Sequence, residues 1–194
     1  PEYREEFLSY VREIAWDKYR KNNLVVFSRR KEEHWQIEED KYINAQPSMS
    51  SSRLADDIKK FSAANIPRSI LLWGKPGTGK STAVREICQI LDFRYLRFRV
   101  EQMSEFKTES MEYLIELFNP EAIIVDDFDR TYEQAELLET LELFHAKGVK
   151  CFMATVNDLD KLDAAVVRPG RIDEIVQFEK LDEEAIHTIL QSNG

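Results

Sequence analysis

Apolar residues recur along this chain in two spacings, and the changes between them mark its elements. Residues 2–20 place Phe7, Val11, Ile14, Ala15 and Tyr19 at helical intervals among charges, which predicts an amphipathic helix. LVVFSR (24–29) is β-branched and aromatic; KEE interrupts it and HWQIEEDKYI follows, which reads as a hairpin or a pair of short strands. NAQPSMSSS (44–52) is small and polar, the composition of a linker. A helix is expected over 53–65, ended by Pro67. SILLWG (69–74) is a short buried strand, and a second helix spans 80–91. FRYLRFRV (93–100) alternates as a strand with one basic face. SMEYLIELF (110–118) is a helix stopped by Asn119-Pro120, and AIIVDDF (122–128) is a buried strand. Residues 132–147 form a helix with Leu137, Leu138, Leu141 and Phe144 inward, stopped at Gly148. Strands follow at 149–157 and 174–178, and a last helix begins at 181–190.

Continuously apolar strands alternating with helices predict an α/β fold, a parallel sheet covered by helices on both faces. The linker divides the chain into a small N-terminal α+β element (1–50) and a main domain (51–180), followed by the start of a further helical part (181–194). Internal repeats are absent.

Composition narrows the class. The chain has 194 residues, 43% hydrophobic and 32% charged, with a net charge of −9. That suits one globular domain with a small appendage. An acidic chain has no bulk attraction to nucleic acid or anionic membranes, although a local basic patch is still compatible with either. Cys88 and Cys151 belong to no metal-ligating cluster and read as buried thiols of the cytoplasm or another reducing compartment. No apolar run approaches the roughly 18 residues of a membrane-spanning helix, and no signal peptide is visible. The chain opens at Pro1 without a Met, which leaves room for a targeting segment upstream.

GKPGTGKS (74–81) lies between a predicted strand and a predicted helix and fits G-x-x-x-x-G-K-[ST]. Gly74, Gly77 and Gly79 let the backbone curl so that its N–H groups face phosphate oxygens, and the following helix adds its positive N-terminus. Pro76, Thr78 and Thr82 are counted with them as nucleotide-binding residues. Lys80 is placed to reach the β- and γ-phosphates of ATP, and the Ser81 hydroxyl to ligate Mg²⁺. IIVDDFD (123–129) poses a question of its own, because adjacent Asp126 and Asp127 end an apolar strand and repel one another. A magnesium ion brought by the nucleotide answers it: Asp126 is the carboxylate that such a site needs on a neighbouring strand.

With GKPGTGKST, IIVDDFD, ATVND and VVRPGRID in order, residues 53–190 resemble the AAA+ ATPases, of the subgroup with an RPGR signature. The resemblance implies a P-loop NTPase large subdomain that hydrolyses ATP with Mg²⁺ and assembles into a ring, usually a hexamer. It makes Asn157 the sensor of the γ-phosphate. It makes Arg168 and Arg171 the arginines that reach a neighbouring subunit's nucleotide. Asp127 stands where the family usually carries Glu to polarise the attacking water; the shorter side chain implies either a slow catalytic base or a nucleotide-gated switch. Residues 181–190 correspond to the opening of the family's helical lid, and the sequence then stops. FMATVNDLDKLDAAVVRPGRID (152–173) and HWQIEEDKYINAQPSM are also similar to the AAA proteins that assemble mitochondrial respiratory complex III, whose upstream transmembrane helix has no counterpart here.

The implied work is remodelling or translocation of a protein. Two alternatives stay open: a replication or clamp-loader-like ATPase acting on DNA, and an assembly scaffold gated by ATP with weak hydrolysis. Phe106, followed by Lys107, is the candidate for a substrate-gripping loop, set against simple packing on the next helix. Arg94, Arg97 and Arg99 alternate with Phe93, Tyr95 and Phe98, which suits nucleic-acid contact or an edge strand guarded by charge. His34, His145 and His187 fall in no ligand or triad spacing and read as structural or surface residues.

Overall fold

Seven strands join a single sheet in the computed structural model, which describes residues 24–28, 35–40, 47–99, 108–130, 143–168 and 170–179. The helices expected over 2–20 and 181–190, most of that over 132–147, and Phe106 lie outside the described residues. Strands β1 (Leu24–Ser28) and β2 (Trp35–Glu39) are antiparallel. Helix α1 (Met49–Ala63) follows, then β3 (Arg68–Trp73), helix α2 (Lys80–Leu91) and β4 (Tyr95–Arg99). Helix α3 (Thr108–Phe118) leads to β5 (Ala122–Asp126), and β6 (Cys151–Val156) and β7 (Glu174–Gln177) complete the sheet. The order across the sheet is β2-β1-β4-β5-β6-β3-β7, and every pair except β1–β2 is parallel.

The apolar runs are continuous because both faces of the sheet are covered. Ile70 and Leu72 of β3, Ala122 and Ile124 of β5, and Cys151 and Met153 of β6 pack with Leu54 and Ile58 of α1 and Val84 and Ile87 of α2. The alternate residues Leu71, Ile123, Val125, Phe152 and Ala154 pack on the opposite face with Leu114 and Ile115 of α3 and with Phe144. The α/β architecture expected from the sequence is the one observed. Both cysteines are free and fully buried, and burial pushes the Cys151 thiol up to about 12 and that of Cys88 well above its ordinary value. His145 packs with its Nε2 3.1 Å from the buried Ser69 hydroxyl.

Three local expectations are corrected. The segment at 24–39 is indeed a hairpin, but it is not set apart from the main domain: β1 pairs with β4 (Val25 opposite Arg97), so it extends the same sheet. A linker in sequence does not prevent strands on its two sides from pairing. Strand β4 is therefore interior, between β1 and β5, and needs no edge protection. Finally, the Ser-rich linker is in part the first turn of α1. Ser48 is its N-cap, its Oγ accepting the Ser51 N–H at 3.1 Å, while the Ser51 hydroxyl donates to Glu86 Oε2 at 2.6 Å. Small polar residues favour caps and linkers alike, and only the buried Glu86 partner decides between them. Ser48→Ala is expected to cost about 1 kcal/mol of stability, measured by urea unfolding, with Ser52→Ala on the exposed side of the same turn close to neutral.

Candidate functional site

Strands β3, β5 and β6 end at the same edge of the sheet, and each delivers one part of the site there, as ligand sites in open α/β sheets do. After β3 the chain enters the glycine loop 74–79. Gly74 follows the strand so tightly that a Cβ would lie 2.0 Å from the Phe178 carbonyl oxygen, so only glycine fits. Gly79 is the N-cap of α2 in the left-handed region, with φ 89°. The space where a Cβ of Gly77 or Gly79 would stand is open. The Thr78 hydroxyl closes the loop on itself by donating to the Lys75 carbonyl at 2.9 Å.

Lys80, the first residue of α2, is buried and folds back into the loop. Its Nζ donates to the Gly74 carbonyl at 2.6 Å, to the Lys75 carbonyl at 3.0 Å and to Asn157 Oδ1 at 3.1 Å. Burial lowers its pKa, and the nearby carboxylates Asp127, Asp129 and Asp126 oppose that shift.

The three aspartates of IIVDDFD turn out to have three different sets of partners. Asp126, the last residue of β5, is buried; its Oδ1 accepts from Ser81 Oγ at 3.0 Å and Thr155 Oγ1 at 3.2 Å. Its Oδ2 lies 2.6 Å from both Nε and Nη2 of Arg97. Asp127 is a non-glycine residue with φ 56°, a conformation that Asp tolerates better than most. Its N–H donates to Thr155 Oγ1 at 3.1 Å, and its Oδ1 accepts from Asn157 Nδ2 at 2.8 Å. Asp129 is buried and accepts the backbone N–H groups of Asn157 (3.1 Å) and Asp158 (3.2 Å), which fixes the end of β6. The like charges of IIVDDFD are thus separated by partners within the chain as well as by any bound cation.

The cavity above the loop has a volume of about 470 Å³ and is lined by residues 76–82 with Asp127, Arg130, Thr155 and Asn157. Its donor set fits a magnesium nucleotide. A glycine-flanked loop leaves room for phosphate oxygens beside an ammonium group. Ser81 Oγ and Asp126 Oδ1, 3.0 Å apart, are hard oxygens of the kind that could hold a magnesium ion brought with the phosphates.

The structure thus brings the predicted Gly77, Gly79, Lys80, Ser81, Asp126, Asp127 and Asn157 together. Arg168 and Arg171 do not line this cavity. They sit on a turn whose flanks are anchored by buried Val166 and Ile172 and by Asp173, whose Oδ2 accepts the Ser69 N–H at 2.7 Å. Arg171 is half-buried and donates from Nη1 to the Ala165 carbonyl at 3.1 Å, whereas Arg168 is exposed. Thr155, Arg130, Asp129 and Arg97 were not legible as site residues. Thr155 and Asp129 act across the sheet edge, and only the register of β5 on β6 reveals them.

Two of the three arginines of 93–100 are paired within the chain. Arg94 pairs with Glu121, its Nε 3.2 Å from Oε2, and Arg97 with Asp126 and Asp40, so neither offers a free cation to a nucleic acid; the Arg99 side chain is outside the description.

Residues 70–180 match the profile of the ATPase family associated with various cellular activities (AAA). The chain is 33% identical over 157 residues to 26S proteasome regulatory subunit 8 of Caenorhabditis elegans, covering 68% of this chain and 38% of that protein. It is 33% identical over 150 residues to the homologous subunit of Schizosaccharomyces pombe, covering 64% and 37% respectively. A probable 26S proteasome regulatory subunit 4 of C. elegans is 30% identical over 149 residues, covering 64% and 33%. The chain therefore spans less than two fifths of the length of these relatives.

Proposed function

Because the chain belongs to the AAA family of ATPases, we propose that it hydrolyses ATP as one subunit of a ring and uses the energy to remodel or move a protein. The observation that carries this reading is a hydrogen-bonded chain across the cavity. Lys80 Nζ donates to Asn157 Oδ1 at 3.1 Å, and Asn157 Nδ2 donates to Asp127 Oδ1 at 2.8 Å. A phosphate-binding cation, a polar sensor and a carboxylate base are thereby set in one line at the sheet edge. The loop N–H groups and Lys80 bind the phosphates. Ser81 and Asp126 hold the metal. Asn157 orients Asp127, and Asp127 accepts the proton of the attacking water. A bound magnesium ion would supply neutralisation of charge on the phosphate oxygens. Arg168 and Arg171, which do not line the cavity of their own chain, serve the site of the next subunit.

In this reading residues 51–180 are the ATPase unit, β1 and β2 of the 1–50 segment add to its sheet, and 181–194 correspond to the start of a truncated or absent helical lid. A hexamer acting on protein is supported by the likeness to proteasomal regulatory subunits, and a reducing compartment by two buried free thiols. No helix among the described residues is long and apolar enough to cross a membrane. The RPGR turn and the run 152–173 support the additional likeness to complex III assembly ATPases. The pairing of Arg94 and Arg97 within the chain weakens the DNA-acting reading.

The test is ATP turnover per subunit across a wide range of protein concentration. Specific activity is expected to rise with concentration as subunits supply Arg168 and Arg171 to one another. A flat, measurable rate would mean a self-sufficient site and would overturn the shared-site reading. ATP binding without turnover at any concentration would favour the scaffold, with Asp127 as a switch.

A further inference from the structure

The carboxylate proposed to hold magnesium is also one end of a buried charge network that runs to the N-terminal hairpin. Arg97 reaches Asp126 with two nitrogens and leaves Nη1 3.4 Å from Asp40 Oδ2, just past the end of β2. Asp40 also accepts the buried Tyr95 hydroxyl at 2.9 Å and faces Arg85 Nη1 of α2 at 3.6 Å. The side chains of Arg97, Asp40 and Asp126 are only 15%, 9% and 7% exposed, so their charges act on one another with little screening by water. Tyr95 and Arg97 are alternate residues of β4, so both point to the α2 face of the sheet, where Tyr95 packs with Ile124.

The division of oxygens on Asp126 matters. Oδ1 faces Ser81 and the loop, while Oδ2 is taken by Arg97. Arg97 thus leaves Oδ1 to Ser81 and Thr155, which line the cavity, and at the same time places a positive charge on the carboxylate proposed to hold the metal. Asp40 shares that positive charge from the other side. From this geometry we propose that Arg97 and Asp40 are a pair of positioning residues that set the magnesium affinity of the site in opposite directions. Arg97 weakens cation binding at Asp126, and Asp40 relieves that effect by drawing Arg97 toward itself. A metal held at Asp126 would compete with Arg97 for that carboxylate and leave Arg97 more fully to Asp40, which would link the loaded site to the end of the hairpin. This inference rests on the reading of Asp126 as the metal carboxylate.

The experiment is equilibrium ATP binding at a series of Mg²⁺ concentrations, with EDTA as the metal-free limit. Its readout is the Mg²⁺ concentration that gives half of the metal-dependent tightening. Arg97→Gln is expected to lower that concentration about tenfold, and Asp40→Asn to raise it by a similar factor, within the range of ordinary coupling between sites. ATP binding in EDTA should change little in either variant, and Arg97→Lys, which keeps the charge but not the two-nitrogen grip on Asp126, should fall between Arg97→Gln and wild type. A structural role alone would move both variants the same way or leave the midpoint unmoved, and either result overturns the inference. If Arg97→Gln does not fold, Asp40→Asn decides: a raised midpoint supports the inference and an unchanged one overturns it. A wild-type affinity indifferent to Mg²⁺ overturns the underlying metal reading instead.

Discussion

Replacing Arg168 with alanine should reduce ATP turnover by about 10³–10⁵-fold, the range measured when a cation supplied to a transferring phosphoryl group is removed, while leaving ATP affinity near wild type. The expectation follows from where the side chain sits. Arg168 is exposed on a turn whose flanks are buried, and it does not line its own cavity, so its removal disturbs neither the core nor the local binding loop. Arg171 differs, because its Nη1 holds the Ala165 carbonyl and its loss should also loosen the turn. The paired measurement is steady-state turnover with nucleotide binding, repeated with Arg168→Ala subunits mixed into wild type. If the arginine serves a neighbour, the variant will depress turnover per wild-type subunit as its share increases. Turnover that falls only by dilution would mean that each subunit works alone.

Lys80→Ala is expected to remove detectable ATP binding at concentrations that saturate the wild type, and to lower turnover by about 10²–10³-fold or more, the cost of losing one preorganised donor at a reacting group. Lys80 does two things at once. It supplies the charge that faces phosphate, and it ties the Gly74 and Lys75 carbonyls to Asn157. Alanine leaves those acceptors without their donor and frees the sensor from the loop. Lys80→Arg keeps the charge, but a planar guanidinium does not reproduce three bonds converging on one nitrogen, so it should recover little. Isothermal titration with ATP and Mg²⁺ checks the binding. A variant that binds ATP normally and turns it over normally would remove Lys80 from the site.

The parts of this site that were legible in the sequence are those written as local runs. The glycine loop, Asp126 at the end of an apolar strand and Asn157 at the end of the next each carry their context in a few neighbouring residues. Residues whose role depends on which strands lie side by side were not legible. Arg97 read as part of a basic stripe because nothing in FRYLRFRV says that β5 is its neighbour; the parallel register, with Arg97 opposite Ile124, puts its guanidinium within reach of Asp126. Thr155 looked like one more β-branched residue until the β5–β6 pairing set its hydroxyl between Asp126 and Asp127. Ser48 was hidden for another reason, since a small polar residue serves a cap or a linker equally well until Glu86, 38 positions away, is brought beside it. Adjacent Asp126 and Asp127 were visible as a charge anomaly, but their separate partners, and those of Asp129, were not.

The place of β3 in the sheet bears on how the protein is made. This strand carries the phosphate loop and is synthesised before both its neighbours, β6 and β7. The Ser69 N–H is held by Asp173, 104 positions further on, and Gly74 is shaped by the carbonyl of Phe178. At translation rates of about 5–20 residues per second, β3 must wait roughly 5–20 s for its last partner. During that time an apolar strand with two unpaired edges is exposed to other nascent chains. A chaperone that shields β3 until β7 emerges would therefore raise the yield of folded protein without changing its final stability.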